Sequence, residues 1–144
     1  VVHNAKIMAK EFAQRGYRIV ADGTDNHLFI VDLRSKKITG RDAEKALEHA
    51  GITVSRSCIP FDSAQPWITS GIRIGTPAVT SRGMTDVEMR EIVELIHTVI
   101  TFANNQEAIN QVAHAVQQLC FAFPIETINH ISYRSSARMH QTTL

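Results

Sequence analysis

Apolar residues fall at helical spacing from the first positions of the chain: Ala5, Met8, Ala9, Phe12 and Ala13 share one face, and Gly16 follows as a left-handed C-cap would. The pattern then changes period. Tyr17-Arg18-Ile19-Val20, a polar turn through Asp22-Gly23-Thr24-Asp25-Asn26, and the run Leu28-Phe29-Ile30-Val31 predict two strands, the second covered on both faces because its apolar residues do not alternate. Thr39 to Asp42 resembles a capping box and opens a helix with Ala43, Ala46, Leu47 and Ala50 as a narrow stripe ahead of Gly51.

Ile52-Thr53-Val54 reads as another strand, and Ser55 to Ser70, with Pro60 and Pro66, as a long irregular loop of the kind that often carries function. Gly71 to Gly75 is a short strand bracketed by glycines, followed by Thr76-Pro77, where the proline favours an extended residue before it. A second capping box, Thr85 to Glu88, starts a helix with Met89, Ile92, Val93, Ile96, Val99 and Ile100 on one face. Ile109, Val112, Ala113 and Val116 mark a last helix that ends before Pro124. From 126 to 144, including Ser135-Ser136 and Thr142-Thr143, no period is sustained, which predicts a loosely ordered tail behind one domain over 1–125. Strands interspersed with amphipathic helices predict an α+β, two-layer α/β fold.

Composition agrees with a single core: 144 residues, 44% hydrophobic and 20% charged, is ordinary globular make-up. A net charge of +1, without a basic stripe, gives no reason to expect nucleic acid as a partner. No apolar run reaches the ~20 residues that cross a bilayer. Cys58 and Cys120 lack metal-ligand spacing, and a reducing, cytoplasmic setting is the simpler reading. His3, His49, His97, His114, His130 and His140 are scattered, so no metal site is predicted. The chain opens on Val1-Val2-His3 inside a helical pattern, which raises the expectation of a fragment.

Arg73 is the strongest candidate for chemistry. Its guanidinium is a planar fork that pairs bidentately with a carboxylate, and Gly71 and Gly75 remove side chains on both sides so that a small amino-acid ligand or another backbone could approach. The plain alternative is a structural ion pair with Asp32 or Asp62. His27, beside Asp25, could act as an acid or base but is read as ordering the turn. Arg82-Gly83 reads as a turn carrying a solvated charge. Neither Gly23-Thr24 nor the stretch from Gly71 to Gly75 has a phosphate-loop pattern.

Two segments, Gly23-Thr24-Asp25-Asn26-His27-Leu28-Phe29-Ile30-Val31-Asp32-Leu33 and Thr69-Ser70-Gly71-Ile72-Arg73-Ile74-Gly75-Thr76-Pro77-Ala78-Val79-Thr80-Ser81-Arg82-Gly83, in this order and spacing, resemble serine hydroxymethyltransferase over about Val1 to Ile125. The resemblance implies the small C-terminal domain of a fold type I pyridoxal-phosphate enzyme, a small, mainly antiparallel sheet packed on helices. Such enzymes reversibly convert serine and tetrahydrofolate to glycine and 5,10-methylenetetrahydrofolate as homodimers or homotetramers, and hold pyridoxal phosphate on a lysine of a large N-terminal domain.

The lysine motif has no counterpart in this sequence, so the resemblance implies no catalytic residue, no cofactor anchor and no turnover by this piece alone. It assigns the substrate carboxylate to Arg73, and part of the folate site to Ser57, Gln65, Pro66 and Trp67. Ser57 and Ser55 stand where many relatives have Asn, which would weaken folate binding, whereas Trp67 keeps an aromatic suited to a pterin face. Trp67 could equally plug a gap between loop and core. The competing functions are a free-standing amino-acid-binding regulatory module and a structural interaction domain.

Overall fold

A computed structural model describes residues 1–125 and Leu144. The expected tail, with His130 and His140, lies otherwise outside the described residues. The chain runs through α1 (Val2–Gln14), β1 (Arg18–Ile19), β2 (Leu28–Asp32), α2 (Gly40–His49), β3 (Ser55–Ser57), β4 (Gly71–Gly75), α3 (Pro77–Ser81), α4 (Asp86–Thr101) and α5 (Gln106–Ala122). Single 3-10 turns follow β1 and β2, at Val20–Asp22 and Arg34–Lys36.

The four strands form one antiparallel sheet in the order β1-β2-β4-β3, which is the α+β arrangement the patterning predicts. Register sorts the side chains onto two faces, because residues directly opposite in a ladder point the same way. Val31 opposes Ile19 and Ile72, and Phe29 opposes Ile74; all five are buried. They meet a helical layer in which α4 is central and packs against α1, α2 and α5. Met89, Ile92, Val93, Ile96, Val99 and Ile100 supply its buried stripe. The seam with α1 is closed by Phe12, whose ring stands edge-on to Tyr17 at 5.2 Å. The Tyr17 hydroxyl lies 2.8 Å from His97 Nδ1 on α4.

Caps fix the helix starts. The Thr85–Glu88 box is complete, with the Glu88 carboxylate accepting from the Thr85 N–H at 2.8 Å. At α2 the Thr39 hydroxyl accepts from the Asp42 N–H at 3.1 Å, but no reciprocal bond from Asp42 completes a box. Gly16 has φ +85 beyond the end of α1, as its place in the pattern requires.

Other expectations are corrected. Ile52-Thr53-Val54 is not a strand: Ile52 and Val54 are core residues, and the edge strand is the polar Ser55–Ser57 just after them. The segment from 55 to 70 is therefore strand first and loop second. Thr76 is not extended, with φ −112 and ψ −1, and Pro77 instead occupies the first turn of α3, where a missing N–H costs nothing. β2 is not covered on both faces. Phe29 and Val31 are buried, whereas Leu28 and Ile30, on the other face, remain half-buried.

Arg82 is not a solvated charge either. Its Nε donates to Phe123 O at 2.7 Å and its Nη2 lies 3.3 Å from Cys120 O, satisfying carbonyls at the end of α5. Both cysteines are free, and among the described residues no helix is long and apolar enough to cross a membrane.

Candidate functional site

The face of the sheet away from the helices carries Arg18, Leu28, Ile30, Asp32, Ser55, Ser57, Gly71, Arg73 and Gly75, as the register dictates. Arg73 lies mid-strand in β4, which is bonded on one side to β2 and on the other to β3. Directly opposite it are Ile30 and Ser55. The guanidinium is exposed and lines an open hollow of about 320 Å³ with His27, Leu28, Thr53, Val54, Ser55 and Gly75.

The ion-pair alternative for Arg73 is not realised. Asp32 is engaged by Arg34, whose Nη2 sits 2.7 Å from Oδ2. Burial pushes the Asp32 carboxyl up, but the Arg34 bonds outweigh it and hold it below the ordinary carboxylate value. Asp62 is occupied by Ser70 and by three backbone N–H groups. Among the described residues the Arg73 guanidinium has no hydrogen-bonding or ion-pair partner. A charged fork left unpaired beside a hollow can take a carboxylate; in so exposed a position a tight grip also requires a second surface to exclude water.

The glycines flanking Arg73 have different reasons. At Gly71 a Cβ would meet Ile59 Cγ2 at 2.9 Å and the carbonyl oxygens of Ser57 and Val31 at 3.0 Å, so the loop after β3 lies directly over that end of the sheet. At Gly75 the nearest atoms would be 3.6 and 3.7 Å away, which leaves the face open beside Arg73. The close approach read from sequence thus divides into another backbone at one end and free space at the other.

Ser57 shares the outer face with Arg73 but opposes Gly71, and its hydroxyl donates to Cys58 O at 3.3 Å. Gln65, Pro66 and Trp67 are exposed and lie near the start of α2, where the Gly40 and Arg41 N–H groups donate to Thr69 O at 3.0 Å and Ile68 O at 2.9 Å. Arg56 donates to Trp67 O and pairs with Glu44 of α2 at 2.7 Å, tying this loop to helix and sheet edge together. The Trp67 side chain is 62% exposed, so it does not plug the core. None of Ser57, Gln65, Pro66 or Trp67 lines the hollow beside Arg73.

Ser55 does line it, and the register partnership that places it there was not readable from spacing. His27 acts through its backbone: its carbonyl accepts from the Thr76 N–H at 3.0 Å and from the Thr76 hydroxyl at 3.3 Å. Among the described residues no cluster of three or more His, Cys, Asp or Glu could hold a metal ion.

Comparison with known proteins adds a second line. A family model described as serine hydroxymethyltransferase matches residues 1–96. Over 125 residues the chain is 48% identical to a serine hydroxymethyltransferase of Nitrosomonas eutropha and 50% identical to one of Nitrosomonas europaea. Each match takes in 87% of this chain and 30% of the relative, so the chain spans less than a third of the length of these curated relatives.

Proposed function

The chain belongs to the serine hydroxymethyltransferase family, and from that premise we propose that it is the small C-terminal domain, over residues 1–125, of a cytoplasmic enzyme. That enzyme would reversibly convert serine and tetrahydrofolate to glycine and 5,10-methylenetetrahydrofolate. Arg73 binds the carboxylate of serine or glycine and thereby orients the amino acid. The observation that carries this reading is the unpaired guanidinium on the open sheet face, anchored by a strand that is bonded on both edges. Bidentate pairing gives both strength and a fixed orientation, which a lysine ammonium could not reproduce.

Ser57, Gln65, Pro66 and Trp67 contact the folate, with the exposed Trp67 ring offering a face to the pterin or the adjacent aryl group. The two groups of residues stand apart on this unit. The reading therefore has them facing one cleft that the larger N-terminal domain closes, in a homodimer or homotetramer.

Pyridoxal phosphate supplies the electron sink at the substrate Cα. The described residues do not fit it as a seat. A lysine that condenses with a carbonyl needs a desolvated pocket, whereas Lys6, Lys10, Lys37 and Lys45 are exposed and Lys36 donates to Arg15 O at 2.7 Å. The cofactor is accordingly assigned to the part of the enzyme outside this chain, and the role derived for these residues is binding and orientation.

The test is Arg73→Ala and Arg73→Lys in the full-length enzyme carrying this segment, with glycine binding by calorimetry and serine turnover. Removing one member of a sequestered charge pair costs ~2–5 kcal/mol. Glycine affinity should therefore fall at least ~30-fold in Arg73→Ala and substantially in Arg73→Lys. Near-normal serine turnover in either variant would refute the assignment.

A further inference from the structure

After β3 the chain crosses the end of the outer sheet face, with Ile59 buried over Gly71, turns at Phe61 with φ +57, and returns to β4. Arg56 ties its far part to the sheet edge through Trp67 O, and one carboxylate links its limbs to each other. Asp62 Oδ2 accepts from the Ile59 N–H at 3.3 Å and the Ser70 N–H at 2.8 Å. Its Oδ1 accepts from the Ala64 N–H at 2.9 Å and the Ser70 hydroxyl at 2.7 Å. The departing limb, the tip and the returning limb are therefore bridged by a single side chain.

We propose that Asp62 is a positioning residue for the folate-binding segment: by bridging Ile59, Ala64 and Ser70 it holds Gln65-Pro66-Trp67 in the geometry that faces the folate, beside Ser57, which the β3–β4 ladder fixes. This rests on the folate reading given above. Gln65 follows Ala64 directly, so the Gln65-Pro66-Trp67 contacts begin next to an Asp62 bond. Arg73 does not depend on it, because β4 is secured by the ladders on both its edges. Burial raises the Asp62 carboxyl, but the Ser70 hydroxyl and the backbone N–H groups of Ala64, Ser70 and Ile59 outweigh it and hold it at about 2, so the bridge is ionised at any working pH.

Asp62→Asn puts an NH2 where one oxygen accepted, and whichever way the amide turns, at least one backbone N–H faces a donor. Ser70→Ala is the milder second variant, removing only the hydroxyl bond. Both are made in the full-length enzyme carrying this segment, and KM for tetrahydrofolate, kcat and glycine Kd are measured beside Trp67→Ala. The expected result for Asp62→Asn is a rise of about tenfold in the folate KM, a smaller rise for Ser70→Ala, and kcat and glycine Kd within about twofold of the parent.

An unchanged folate KM in both variants, with Trp67→Ala raising it, overturns the role of Asp62 and leaves the folate reading standing. An unchanged folate KM in Trp67→Ala sinks the folate reading, and this inference with it. Folate KM and glycine Kd rising in parallel also overturns the proposal, because a general loss of structure moves both. Should Asp62→Asn fail to fold, Ser70→Ala decides by the same split.

Discussion

Replacing Gly40 with Ala opposes two effects of known size. Gly40 is the first residue of α2 and its φ is not in the left-handed region, so alanine is permitted by the backbone and should favour the helix by ~0.5–1 kcal/mol. Space forbids it. The new Cβ would collide with Thr69 Oγ1 and the Gly71 carbonyl oxygen, and would come within 3.2 Å of Ile68 O. Two of these three atoms belong to backbone, which cannot swing aside as the end of a long side chain does.

Relief by moving the 68–71 segment would lengthen the bonds from Gly40 N to Thr69 O and from Arg41 N to Ile68 O, now 3.0 and 2.9 Å. Overpacking costs ~1–3 kcal/mol, and each weakened bond ~0.5–1.5 kcal/mol. The steric terms win, and Gly40→Ala is expected to be less stable by about 1–5 kcal/mol. The assay is urea unfolding followed by circular dichroism, with Gly75→Ala as the control because its added methyl would make only ordinary contacts. A Gly40→Ala chain as stable as the parent, or more so, would show that the close approach between α2 and β4 is not a constraint.

Two further predictions concern the helical layer. Thr39→Ala and Thr85→Ala remove N-cap acceptors and should each cost ~1 kcal/mol, read as lower urea midpoints with unchanged slope; no shift in either would mean that the caps are replaced by solvent. Burial, then the nearby charge of Lys36, holds the His97 imidazole below its ordinary value against the opposing pull of Glu94. The folded state therefore favours the neutral ring. Its contribution is complete above about pH 6.5 and is lost as pH falls through the lowered folded value. His97→Gln should show a smaller fall in unfolding midpoint than the parent between about pH 7 and pH 5, and an identical fall would remove His97 as the cause.

The elements legible in the sequence are those whose signals are local. α1, α4 and α5 follow from 3.6-residue periodicity, and the Thr85–Glu88 box marks its helix start directly. Ile52-Thr53-Val54 has the composition of a strand, while the residues that pair at the edge are Ser55-Arg56-Ser57. They form a strand through tertiary ties, the ladder to β4 and the reach of Arg56 to Glu44. α3 is too short to show a period, and its one local signal is Pro77, which suits a first helical residue as well as it disfavours a helical residue before it. Within the candidate site, Arg73 stood out by its glycine neighbours. That Ser55 lies across from it, and Ser57 across from Gly71, is a matter of register, which a loop of this length leaves open.

The mounting of Arg73 has a mechanical consequence. A side chain rooted between two neighbouring strands has a base that cannot wander, so its freedom is confined to the torsions along its own stem. If the unit swings as a body against another domain, the guanidinium travels with it like a pointer fixed to a plate. Under the role proposed for Arg73, amino-acid affinity would then report the angle of that swing, and a change at a distant hinge would alter it without touching any residue near the ligand.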